Sequence, residues 1–184
     1  MVQAIAGASS ILMNKLHIKS PIHTFPLQAM VSQPFKPFLN PLVSSSALHC
    51  YVQQTSRGEI VFGGGSDPYP LYNTRSTLDL KESLLAHAIE MFPFMANVKL
   101  MRQWAGMTDM TPDYSPIMGK SPYDNYYLDA GWGTWGFKST PICGKTMAEL
   151  VATGRTPDLI KPFELSRFSR FQQVNEMGAT AASH

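Results

Sequence analysis

The segment from Tyr126 to Gly154 leaves this chain few folds to choose from. A predicted strand, Tyr126 to Ala130, runs into Gly131-Trp132-Gly133-Thr134-Trp135-Gly136-Phe137-Lys138, and a helix is predicted from Pro141 to about Thr153. Ser139 or Thr140 suits the cap of that helix, Pro141 its first helical position and Gly154 its end. Strands and helices interleaved in this way belong to mixed α and β architectures. The spacing Gly131-x-Gly133-x-x-Gly136 also spells the dinucleotide fingerprint, with Asp158 about 20 residues further on. Three features oppose that reading. Trp132 and Trp135 are bulky where a backbone must approach a pyrophosphate, the predicted helix begins several residues late, and no second strand precedes Asp158. A firmer signal is charge. The helix start presents free N–H groups and a partial positive charge, and Lys138 adds a full one between Trp135 and Phe137. A lysine beside a positive helix end is unfavourable unless something negative offsets it, so an anion or a developing negative charge is the expected guest.

The remaining chain supplies a sheet. A short buried strand, Val2 to Ala6, precedes a helix from about Ala8 to Leu16. A proline-punctuated stretch follows, in which Phe25 to Val31 reads as one strand. Leu48, Cys50 and Val52 alternate with His49, Tyr51 and Gln53 before Thr55-Ser56-Arg57-Gly58 turns the chain into Glu59 to Phe62, the pattern of a β-hairpin. From Asp79 to Phe92, the residues Leu80, Leu84, Leu85, Ala88, Ile89 and Phe92 fall on one helical stripe, with Asp79 and Glu82 spaced as a capping box and Pro93 as the stop. Val98 to Thr111 reads as a long strand, Thr111 to Pro116 as a turn, Ile117 to Gly119 as a short strand, and a polar tail begins near Gln172.

Composition narrows the function. The 184 residues are 44% hydrophobic and 15% charged, with Lys+Arg 15 against Asp+Glu 13 and a net charge of +2. No dense basic cluster exists to grip nucleic acid. No run approaches the roughly 18 apolar residues of a membrane span, and no basic residue leads the apolar start as in a signal peptide, so a soluble cytoplasmic protein is expected. Cys50 and Cys143 stand far apart, which indicates neither a disulfide scaffold nor a zinc site, and no metal is expected.

Three stretches together resemble the D-amino-acid-oxidase-like family of FAD-dependent oxidoreductases, and within it the β subunits of heterotetrameric sarcosine oxidases. They are Phe25-Pro-Leu-Gln-Ala-Met-Val31 with His49-Cys-Tyr-Val-Gln53 and Gly58-Glu-Ile-Val-Phe-Gly-Gly64; Trp104-Ala-Gly-Met-Thr-Asp-Met-Thr-Pro-Asp-Tyr-Ser-Pro-Ile-Met-Gly119; and Ala130-Gly-Trp-Gly-Thr-Trp-Gly-Phe-Lys-Ser-Thr-Pro141. The resemblance runs to Pro162-Phe163 and Arg167-Phe168. It implies an α+β or α/β fold, the C-terminal part of a two-domain FAD-dependent enzyme. Residues 1–24 would be a fragment of the FAD-binding domain, and 25–111 a substrate-binding domain with an antiparallel sheet and a helix at about 79–92. Residues 112–184 would return to the FAD domain with a flavin loop at 131–138, a helix at 141–153 and a tail. The family's ADP-binding glycine loop and its FMN-bearing histidine lie upstream of the matched region.

On the same footing Gly131, Gly133, Thr134, Trp135, Gly136, Phe137 and Lys138 match the family's flavin-ring loop, and Lys138 matches its substrate-carboxylate lysine. Trp135 stands where the family usually has glycine. Gly106 fills the position of the cysteine that monomeric sarcosine oxidases link to FAD, which implies non-covalent FAD. His49 lies on a strand that faces the family's substrate cavity, though a lone strand histidine is commonly structural. Implied is flavin-dependent oxidative demethylation of sarcosine, with hydride transfer from the N-methyl group to FAD and electrons passing to oxygen, alongside other sarcosine oxidase subunits. A dimethylglycine dehydrogenase-like enzyme and a truncated structural module are the alternatives. Asp109 and Asp113 flank a turn and read as structural, Tyr51 and Tyr69 could close a pocket, and Met91, Met95, Met101, Met107 and Met110 read as core or subunit contact.

Overall fold

The computed structural model describes residues 1–174; the expected tail lies mostly outside them. The described residues divide into two compact units, 1–24 with 108–174, and 25–107.

In the first unit a three-stranded sheet is built from β1 (Val2–Gln3), β7 (Ile117–Lys120) and β8 (Tyr127–Ala130), in the order β1-β8-β7. β1 runs parallel to β8, pairing Val2 with Tyr127, and β7 runs antiparallel to it. Alternation along these strands divides their side chains between two helices. Ile117, Leu128 and Ala130 pack with Met13 of α1 (Ser9–Lys15), while the neighbouring Met118 packs with Cys143, Met147 and Leu150 of α3 (Gly136–Thr153). Burial on both faces is what a sheet with a parallel pair requires. Short 3-10 segments at Asp158–Phe163 and Leu165–Arg167 follow α3.

The second unit holds a five-stranded sheet in the order β3-β4-β5-β2-β6, comprising β2 (His23–Pro34), β3 (Val43–Ser45), β4 (Cys50–Gln54), β5 (Glu59–Ser66) and β6 (Leu100–Met110), of which residues 23–24 and 108–110 belong to the first unit. The hairpin β4–β5 is antiparallel as expected, with Val52 opposite Phe62. Its inward residues Cys50, Val52, Ile60 and Phe62 form one buried core with Met30 and with Leu84 and Ala88 of α2 (Leu78–Met91). β2 is longer than the sequence suggests because its prolines sit where the ladder is interrupted: Pro26 precedes the first residue paired with β5, and Pro34 follows a register shift. Across that shift Ser32 Oγ accepts the Ile60 N–H at 3.0 Å, replacing a ladder bond.

Four local expectations are corrected. The cap residue of α2 is Thr77, not Asp79, and it makes no side-chain bond to its own helix because its hydroxyl donates to Asp67 at 2.7 Å. α3 begins at Gly136, five residues before the expected Pro141, which lies inside the helix. Ser139 and Thr140 therefore do not cap it; their hydroxyls bond back to the carbonyls of Trp135 and Gly136. His49 is not a strand residue but closes the turn before β4 with a left-handed φ of 45°. No helix among the described residues is long and apolar enough to cross a membrane.

Candidate functional site

β8 ends at Ala130, and the chain leaves the sheet through Gly131 at φ 72° and Gly133 at φ 54°, conformations that favour glycine. A Cβ on Gly131 would lie 2.7 Å from Thr111 Cγ2, and one on Gly133 2.7 Å from Met110 Sδ. A Cβ on Gly136 would lie 3.1 Å from that of Trp132. All three fingerprint glycines are thus explained by close packing of the loop on the end of β6 and on itself. The loop is also bonded to that strand: Gly133 N–H donates to the Asp109 carbonyl at 2.8 Å, and the Thr108 hydroxyl donates to the Gly133 carbonyl at 2.9 Å. Trp132 is held by its indole N–H, which donates to Asp129 at 2.6 Å. Burial raises the Asp129 carboxyl above its ordinary value, and the indole hydrogen bond partly opposes that. The expected ribose partner of a dinucleotide site, Asp158, lies instead in an exposed 3-10 segment, paired with Lys161.

This geometry aims the start of α3 outward. Trp135 takes the cap position without a side-chain bond to the helix, and no acidic residue lies in the first turn. The N–H groups of that turn have no partner within the helix, so they present donors and a partial positive charge. Phe137 is 95% exposed and Lys138 is exposed beside it. The Lys138 ammonium stands 4.8 Å from the centroid of the Trp135 ring. Uncapped donors, an exposed cation and a loop hydrogen-bonded to two strands suit the electron-rich edge of a flat ring system that gains negative charge, so the residues fit a flavin. Behind Trp135 opens a groove of about 320 Å³, lined by Tyr114, Trp132, Ile142, Cys143 and Phe163 among others. Burial, and secondarily the Asp129 charge, push the Cys143 thiol up to about 11, so it behaves as a small apolar side chain.

Of the residues singled out from sequence, 131 to 138 form one contiguous feature of the first unit, whereas His49 belongs to the second. Two features escaped the sequence pattern. Thr108, Asp109 and Met110 anchor the loop, a role visible only once β6 and the loop are adjacent. Gly7, at φ 75°, lies in the bend between β1 and α1, as Gly131 lies between the parallel neighbour β8 and α3. Carboxyl ends of adjacent parallel strands are where open α/β sheets bind ligands. Among the described residues no group of three or more His, Cys, Asp or Glu could hold a metal ion.

Comparison with known proteins gives the family. The profile of the FAD dependent oxidoreductase family, DAO, matches residues 4–150. The sarcosine oxidase subunit beta of Rhodobacter capsulatus is 41% identical over 180 residues, which are 98% of this chain and 43% of that protein. Its counterpart from an Arthrobacter species is 41% identical over 97% of this chain and 44% of its own length. The solved L-proline dehydrogenase of P. horikoshii superposes with a TM-score of 0.85 at 29% identity, covering 94% of this chain and 48% of that one. The chain thus spans less than half the length of these relatives.

Proposed function

The chain belongs to the FAD dependent oxidoreductase family, and on that premise we propose that it supplies the flavin-ring loop and the substrate-carboxylate lysine of an enzyme that oxidatively demethylates sarcosine or a similar N-methyl amino acid. The observation that carries the reading is the uncapped start of α3 with Lys138 in its first turn. FAD bound there supplies the hydride acceptor and returns its electrons to oxygen. The N–H groups of Gly136, Phe137 and Lys138, which have no partner within the helix, would offset the negative charge that the flavin gains on reduction. Gly131, Gly133, Thr134 and Trp135 would form the loop that holds the flavin, with Gly131 and Gly133 fixed against the end of β6. Lys138 takes the substrate carboxylate and so orients the N-methyl group, a positioning role that lowers the entropy of reaching the reactive geometry. His49 is a lesser candidate for substrate contact. Gly106 offers no side chain to bond the flavin, so FAD is held non-covalently.

In this reading residues 1–24 and 112–184 belong to the FAD domain and 25–111 to the substrate domain. Further subunits complete the enzyme, as the names of the two bacterial relatives suggest; an FMN site outside this chain and a cytoplasmic location follow from the family resemblance alone. The test is Lys138→Met in the flavin-loaded enzyme. Removing the charged partner of a bound carboxylate costs about 2–5 kcal/mol, so KM for sarcosine should rise by more than about tenfold with flavin retained. An unchanged KM would remove Lys138 from the substrate site.

A further inference from the structure

We infer that Trp135 is a positioning residue for Lys138: its indole face holds the ammonium at the start of α3, ready to receive a substrate carboxylate. The inference rests on the carboxylate role proposed for Lys138 above, and goes beyond it by naming what sets that lysine in place.

The first turn of α3 combines two choices that each disfavour the helix. A cap residue with a side-chain acceptor would satisfy one of the free N–H groups, and Trp135 has none to offer. A cation in the first turn opposes the helix dipole, and Lys138 makes no ion pair among the described residues. The two choices meet in one contact, the ammonium 4.8 Å from the indole centroid, within the range where the ring quadrupole attracts a cation. The indole can act as a fixed platform because its own place is fixed. The Trp135 N–H donates to the Trp132 carbonyl at 3.0 Å, Trp132 is tied to Asp129, and the half-buried Trp135 ring forms one wall of the groove beside α3. A lysine stem has four rotatable carbons, and in water its ammonium would sample a wide arc. The platform narrows that arc without neutralising the charge, as a carboxylate partner would. The positive charge therefore remains available to an incoming anion.

The test compares wild type, Trp135→Leu and Trp135→Phe in the full chain loaded with flavin, and follows acetylation of Lys138 by acetic anhydride with mass spectrometry. Lys145, exposed on the same helix, is the internal reference. Loss of the ring should raise the Lys138 to Lys145 acetylation ratio about two- to fivefold, and phenylalanine should restore most of the difference. Methoxyacetate, a carboxylate without an amine, should protect Lys138 at lower concentration in wild type than in Trp135→Leu, and KM for sarcosine should rise in the same order. An acetylation ratio unchanged in Trp135→Leu overturns the inference. A ratio that shifts as expected, with no protection by methoxyacetate in wild type, instead overturns the carboxylate reading on which it rests.

Discussion

Asp113 follows a proline in a turn, a position where aspartate is commonly found for the turn alone. The structure adds a partner 54 residues away. Arg167, 2% exposed, donates from Nε and a terminal nitrogen to the two Asp113 oxygens at 2.8 and 2.9 Å, and also donates to the carbonyls of Ser115 and Phe163. Val174 N–H completes the site at 3.1 Å. Burial penalises the Asp113 charge, but the hydrogen bonds from Arg167 and Val174 and the guanidinium charge outweigh it and hold the carboxyl below its ordinary value. A carboxyl lowered in the folded state contributes stability that is fully present above its unfolded value, about 3.9, and lost as pH falls through the folded one. Urea unfolding should therefore show a loss of stability as pH falls below about 4 that is absent from Asp113→Asn. Arg167→Met, which strands a buried carboxylate, should cost about 3–5 kcal/mol at pH 7. A cost below about 1 kcal/mol would assign this pair the energetics of a surface ion pair.

At the scale of elements, what the sequence disclosed was local periodicity. The hairpin and the apolar stripe of α2 stand as expected because each is decided by side chains within one or two turns of chain. The start of α3 was misplaced for the opposite reason. Pro141 carries a strong local signal for a first helical position, yet the helix begins where the loop delivers it, and that point is set by Gly133 bonded to Asp109 and by glycines packed on Thr111 and Met110. These contacts are non-local and leave no periodic trace. A paired measurement separates backbone from packing. Gly154 ends α3 at φ 69° with nothing within 4 Å of an added Cβ, whereas Gly131 has the same φ class and no space. Gly154→Ala should cost about 1–2 kcal/mol, the backbone share alone, and Gly131→Ala distinctly more by urea unfolding. Equal costs would remove the packing argument. In the second unit, Gln28 bridges β2 to Asp67 and Thr77 at 2.8 to 3.1 Å and accepts from Gln103 at 3.1 Å. Gln28→Leu removes the amide donor from the buried Asp67 and the acceptor from the half-buried Thr77 N–H, so a loss of about 1–3 kcal/mol is expected in the same measurement.

At the scale of the whole molecule, the two units differ in what they disclose. The second is a sheet and helix with one core, legible from alternation. The first is a sandwich of α1, three strands and α3 whose parallel pair, β1 with β8, joins residues more than a hundred positions apart, a pairing that short motifs could not reveal. Gly7 and Gly131, both in the segment that matches the family, take left-handed φ beyond the carboxyl edge of that pair. The central claim is that this edge and the start of α3 hold a flavin ring. Its most direct test is the visible spectrum of the chain joined to the part of the Rhodobacter capsulatus subunit outside the matched segment. The account predicts a yellow protein with stoichiometric flavin whose affinity falls in Phe137→Glu, a change at a 95% exposed side chain that sets a negative charge at the start of α3 while the fold persists by circular dichroism. A folded, colourless chimera, or one whose flavin is indifferent to Phe137→Glu, would contradict it.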